Sequence, residues 1–158
     1  MADYFTNFSL LMSLPNEAAE KHALDLAERA SRIRLGDEPM PDDFPPSLKD
    51  VVEDWQFDTD ATDPSNGSGL WLHSSSGGID AVCVFIQHLL EQFDPTAHVM
   101  LEWSNDCSKP RFDAFGGGAA LITADKIKSM TTGEWLHRQQ ARLQTHKPST
   151  NRKDHHHG

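Results

Sequence analysis

Cysteine is scarce in this chain, two residues in 158. Neither Cys83 nor Cys107 has a second thiol at C-x-x-C spacing, which argues against a zinc ribbon and against the disulfide framework of small secreted domains. Apolar runs are short, none approaching the ~18 residues of a membrane-spanning helix. The opening Met1-Ala2-Asp3 lacks the basic n-region of a secretory signal. These absences point to a cytoplasmic protein with no membrane partner. Metal-ligand patterns are missing too. The nine histidines are scattered, with no H-E-x-x-H or i, i+4 pairing outside the terminal His155-His156-His157. Neither a metal nor a cofactor is expected, and the terminal run reads as native or as a tag remnant.

What the chain does hold is length enough for one domain with a core, since at this size roughly two-thirds of the unfolded surface is buried on folding. Phe8, Leu10, Met12 and Leu14 alternate with Ser9, Leu11 and Ser13, the period of a strand over 4–14. Asn16 then stands as N-cap to a helix. Its Ala19, Ala23, Leu26, Ala30 and Ile33 recur at spacings of three and four, Arg29, Arg32 and Arg34 gather near its end, and Gly36 stops it. Prolines between 39 and 46 make a connector before a short helix over 47–53. Trp55 and Phe57, then Leu70 and Leu72, predict a hairpin around the turn-rich residues 63–69. Val82, Phe85, Ile86, Leu89, Leu90 and Phe93 form the stripe of a second long helix. Val99, Leu101 and Trp103 predict a strand, 105–118 a loop and 119–124 its antiparallel partner, after which Asp125 caps a short turn. Thr131-x-x-Glu134 has the form of a capping box for a last helix.

The order β-α-β-β-α-β-β-α predicts an α+β fold, a ferredoxin-like split βαβ sandwich (β-α-β-β-α-β) with an added C-terminal strand and helix. Another α+β sandwich with a different strand order is the alternative. One domain is expected over 1–145, with 37–63 as an acidic connector and strand, and 146–158 reads as a disordered polar tail.

The net charge of −10 is unevenly placed. Between Asp37 and Asp63 ten carboxylates stand against the single cation Lys49, a local net of −9. From Lys126 to Lys153 the sign reverses, seven cations against Glu134 alone. A charge run is commonly a solvated face that aids solubility, but an acidic patch also repels nucleic acid and draws basic partners. The leading reading is a non-enzymatic interaction or regulatory protein. Its acidic segment, with Asp50, Glu53, Asp54, Asp58 and Asp60 as contacts, would engage a basic protein surface, including that of a nucleic-acid-binding partner. Direct nucleic-acid contact is not expected, because the first strand lacks the cations an RNA-binding sheet needs. The oligomeric state is left open.

The alternative is a small enzyme or anion-binding domain. Cys107 lies near Lys109 and Arg111, and nearby cations favour the thiolate that a nucleophile requires. In the ferredoxin-like topology, the strands ending near His73 and Asn105 finish at the same end of the sheet. That would gather His73, the Ser75-Ser76-Gly77 turn at a helix N-terminus, Cys107, Lys109 and Arg111 around an anion pocket or Cys-His pair. The plain readings are a structural cysteine and a simple helix cap. Gly116-Gly117-Gly118 runs into a strand rather than opening a helix, which predicts a bulge or bend and not a nucleotide fingerprint. The carboxylates of 37–63 have little apolar surface around them to raise a pKa, which argues against acid/base catalysis.

The run Glu102-Trp103-Ser104-Asn105-Asp106-Cys107-Ser108-Lys109-Pro110-Arg111, then Gly116-Gly117-Gly118-Ala119 and Ile122-Thr123-Ala124-Asp125, follows Gly69-Leu70-Trp71 upstream. Over residues 4–136 this pattern resembles a family of small, uncharacterised bacterial proteins also carried by phages and mobile elements. The resemblance carries over no catalytic residue. It implies an accessory or host-interaction role, such as inhibition of nucleic-acid-binding or defence machinery.

Overall fold

Alternating burial along the first strand sets the architecture. In β1 (Tyr4–Ser13) Phe8 and Met12 are buried while Ser9 and Leu11 are exposed, so one face meets a core and the other does not. The computed structural model describes residues 2–63, 65, 67–112 and 114–157, with side chains through residue 145. After β1 come α1 (Glu17–Arg34), α2 (Pro46–Lys49), a 3₁₀ turn at Val52–Asp54, β2 (Asp58–Ala61) and β3 (Gly69–Ser74). The chain continues through α3 (Ile79–Phe93), β4 (His98–Cys107), β5 (Gly116–Thr123), β6 (Ile127–Thr131) and α4 (Thr132–His157). The protein is α+β, with a six-stranded antiparallel sheet in the order β2-β3-β1-β4-β5-β6.

β1 changes partners along its length. Tyr4–Asn7 pair with Ser104–Cys107 of β4, and Phe8–Ser13 pair with Gly69–Ser74 of β3. Where β1 turns toward β3, a cleft of about 310 Å³ opens between Leu10–Ser13 and Ala97–Met100, with Leu90 at its floor.

Helices α1 and α3 share one face of the sheet. α1 is capped as its sequence predicts, Asn16 Oδ1 accepting from the Ala19 amide at 2.8 Å. It buries Ala19, Ala23, Ala27 and Ala30, small side chains that let its backbone come close. α3 buries Val82, Phe85, Ile86, Leu89 and Leu90, which meet Leu70, Leu72, Leu101 and Ile122 from the sheet in one core. Each such side chain contributes about 1.5–3 kcal/mol when fully buried. α4 opens on its expected cap, Thr131 Oγ1 accepting from the Glu134 amide at 3.1 Å.

Four local expectations change. Trp55 and Phe57 do not open the hairpin. They are 3 % and 4 % exposed and pack with Phe85 at ring-centroid distances of 5.1 and 5.9 Å, and β2 begins only at Asp58. The loop expected over 105–118 is shorter, because β4 runs on to Cys107 and β5 starts at Gly116. The segment after Asp125 is a sixth strand, Ile127–Thr131, paired with Gly118–Ile122. The glycine triplet is a close approach. A Cβ at Gly118 would run into the Trp103 indole, and one at Gly117 into the Trp103 carbonyl. The tail expected over 146–158 falls on the far end of α4, whose side chains lie outside the described residues, as does Gly158 altogether. No helix among the described residues is long and apolar enough to cross a membrane.

His88 on α3 meets His22 on α1, ring centroids 6.2 Å apart, beside Phe93. Its Nε2 is enclosed and makes no hydrogen bond among the described residues. Burial, and then positive charge on His22, hold its pKa below the usual 6.5, with Glu91 acting weakly the other way. A depressed histidine pKa means that the unfolded chain takes up the proton first, so stability is complete above pH 6.5 and is lost as pH falls through the lowered value. The stability of the wild type relative to His88→Gln, from urea midpoints, should therefore decline between pH 7.5 and pH 5. A difference independent of pH would contradict this.

Candidate functional site

The strand registers divide the candidate residues between two faces. His73 lies opposite Ser9, and Cys107 lies opposite Tyr4. Ser9 and Tyr4 are five positions apart on one strand, an odd spacing, so their side chains and those of their partners point to opposite faces. His73 and Cys107 are thus not a catalytic pair. His73 is instead held on the face away from the helices. Its Nε2 lies 2.7 Å from Asp60 Oδ2, and its ring stacks on Trp71 at 3.8 Å.

The loops after β3 and β4 do meet at one end of the sheet, through Thr6. The Thr6 amide donates to Ser75 O at 3.3 Å, Gly77 N donates to Thr6 O at 3.1 Å, and Thr6 Oγ1 donates to Asn105 Oδ1 at 2.9 Å. Two of these contacts join backbone to backbone, and the third joins two side chains. The N-terminus of α3 is closed from elsewhere. Asp54, 27 residues upstream, places Oδ2 3.1 Å from the Ala81 amide and supplies the cap that Gly78 cannot. Gly78 has a φ of +84°, and a Cβ there would press on Asp54 O and Gln56 N. The Ser75-Ser76-Gly77 turn thus leads into a helix whose end already holds a carboxylate. Ser74 Oγ completes it by donating to Gln56 O at 2.9 Å and accepting from Ser76 N at 2.9 Å.

Lys109 and Arg111 are exposed in the 108–115 loop, closed by Arg111 N donating to Lys109 O at 2.9 Å. Cys107 is half-buried and Cys83 is buried on α3, where desolvation, and then the Asp80 charge, push its thiol up to about 12. Among the described residues no group of three or more His, Cys, Asp and Glu side chains is placed to hold a metal ion.

The acidic run is also divided. Glu38 is met by Arg29 at 3.5 Å and Arg32 at 3.9 Å, and Arg34 donates to Glu53 O at 3.3 Å, so the basic end of α1 offsets part of the charge. Asp54 is engaged in capping. Asp50 and Glu53 are exposed, and Asp58 and Asp60 stand on the uncovered sheet face, opposite His73 and Trp71.

That face is the surface sequence reasoning did not assemble. By register it carries Phe5, Asn7, Ser9 and Leu11 from β1, Trp71 and His73 from β3, and Met100, Glu102 and Asp106 from β4. Ala119 and Leu121 from β5 and Lys128 and Met130 from β6 extend it. Leu11 and Met100 are 67 % and 69 % exposed, and Trp71 is 41 % exposed with Nε1 donating to Ser9 Oγ at 2.8 Å. A shallow depression of about 440 Å³ lies along Met100, Leu121 and Met130. Apolar side chains stand in the middle, with carboxylates Asp58, Asp60, Glu102 and Asp106 among them. The alternation in the strands carried the signal, but only register shows which exposed residues are neighbours.

Replacing Asp54 by Ala should cost about 1–2 kcal/mol in chemical denaturation, and Asp54→Asn less, since the amide oxygen still accepts. An unchanged midpoint for Asp54→Ala would remove the carboxylate from the capping role. With a thiol reagent at neutral pH, native protein should react at Cys107, and Cys83 only after unfolding. Equal native rates for both would contradict the burial of Cys83. Compared with protein-family models, curated proteins and solved structures, the chain matches none.

Proposed function

We propose that this chain is a non-enzymatic interaction protein that docks a basic segment of a protein partner on the uncovered face of its sheet. One observation carries the reading: Asp58 and Asp60 flank Trp71 and His73 on a face that α1 and α3 leave open. A lysine or arginine stem covers apolar surface while its head pairs with carboxylate, and an indole face adds cation-π attraction. The partner's contacts are therefore Asp58 and Asp60 with Trp71, Leu11 and Phe5, while Asp50 and Glu53 act as a peripheral field that speeds encounter. Asp54 leaves the set because it caps α3. The frame supporting this surface reads as a ferredoxin-like split βαβ sandwich. The sequence of β2-β3-β1-β4 in the sheet and both long helices on one face support it, with β5, β6 and α4 as an extension. An accessory or host-interaction role, directed at nucleic-acid-binding or defence machinery, accords with an acidic face offered to basic proteins.

The paired substitution Asp58→Lys with Asp60→Lys tests the reading. Both residues are on the surface and the Asp60 side chain that meets His73 is 58 % exposed, so stability should change by less than about 1 kcal/mol. Immobilised wild type should capture a basic protein from the native host in a salt-sensitive manner, and the variant should weaken that binding about tenfold or more. Equal capture by a variant with an unchanged unfolding midpoint rejects the proposal.

A further inference from the structure

Helix α4 leaves β6 at the edge of the sheet and carries an exposed apolar stripe. At 3.6 residues per turn Trp135, Leu136, Gln139 and Leu143 fall on one side, with Arg138 and Arg142 along its border. Trp135, Leu136 and Leu143 are 52 %, 60 % and 71 % exposed, so more than half of each stays uncovered, with Trp135 bordering a cavity of about 420 Å³ beside Gly118 and Met130 of its own domain. The sheet meanwhile leaves Phe5, Leu11, Trp71, Met100 and Leu121 exposed, with Asp58, Asp60, Glu102 and Asp106 around them. The two surfaces match in kind and, apart from Lys128 at the β6 side of the sheet, oppose in charge.

Length fits as well. The 26 residues of α4 extend about 39 Å at 1.5 Å per residue, and six strands at ~4.8 Å spacing are about 24 Å across. A helix of that reach lies over a whole sheet face. The chain joins α4 to β6 without an intervening loop, Thr131 ending the strand and Thr132 opening the helix, and Thr132 Oγ1 accepts from the Gly117 amide at 3.2 Å, so the start of α4 is fixed at the β5–β6 edge.

Resting on the reading of the open face as a dock for basic segments, we propose that its occupant is α4 of a second copy of this chain. The exchange is reciprocal, each copy laying Trp135, Leu136 and Leu143 on the apolar middle of the other's sheet. Arg138 and Arg142 then reach the Asp58 and Asp60 side. The contact is isologous and closes as a two-fold dimer, which protects both apolar surfaces at once.

Charge exchange between copies tests this by sedimentation velocity at low salt. The wild type should be a dimer whose population rises with concentration. Asp58→Lys with Asp60→Lys sets a basic face against a basic helix and should sediment as monomer. Arg138→Glu with Arg142→Glu sets acid against acid and should do the same. In an equimolar mixture of the two variants both contacts of a mixed pair are of opposite sign, and the dimer should return. Leu136→Asp with Leu143→Asp, on a helix face outside the core, should also yield a folded monomer. A wild type that is monomeric at every concentration, variants that stay dimeric, or a mixture that stays monomeric each overturn the proposal. A monomeric wild type whose capture of a host protein is still lost in Asp58→Lys/Asp60→Lys rejects the self-association alone. Unchanged capture rejects the docking reading beneath it.

Discussion

The aromatic interlock of Trp55, Phe57, Phe85 and Phe8 is the contact on which the rest of the molecule depends. Trp55 and Phe57 stand 4.8 Å apart, and Phe57 reaches Phe8 of the central strand at 6.4 Å. These rings anchor the proline-rich connector against both the sheet and α3, and the residue just before them is Asp54. Once Trp55 is seated, Asp54 is delivered to the start of α3. One short segment thereby fixes a helix, a strand entry and the end of a connector, and the aromatic area buried there offsets the cost of ordering the prolines before it.

The same segment sorts the acidic run. Glu38, ahead of the interlock, faces Arg29 and Arg32 at the end of α1. Asp54 is drawn inward as a cap, and the two carboxylates after it are passed to the open face of the sheet with β2. Net charge counted over that run overstates the field any partner would meet, because arginines of the preceding helix lie beside part of it. What remains is smaller but better placed, next to an indole and a row of exposed apolar side chains.

The elements with strong periodicity were legible: both long helices, the Asn16 cap, the Thr131–Glu134 box and the alternation of β1. The Trp55 and Phe57 pattern mimicked a strand because alternate residues of a turn can also be buried, and burial against Phe85 is a tertiary fact. β6 was missed since Ile127-Lys128-Ser129-Met130-Thr131 has too few β-branched and apolar residues to stand out. The candidate site was misjudged for a different reason. Whether His73 and Cys107 share a face depends on how each pairs with β1, and a one-residue change of register would reverse the answer. The cap from Asp54 was equally hidden, since pairing across 27 residues has no local signature.

The first strand made is the strand in the middle. β1 reaches its neighbours only through residues 56 to 103 positions later, from the Ser13–Gly69 pair to the Tyr4–Cys107 pair. During synthesis Phe8, Leu10 and Met12 must wait without a sheet until β3 has emerged, and the strand is flanked on both sides only after β4. Closure of such distant pairs is slow relative to helix formation. On the ribosome the chain passes through a stage with an apolar strand still unpaired, and how long that strand stays exposed is set by where β1 sits in the sheet.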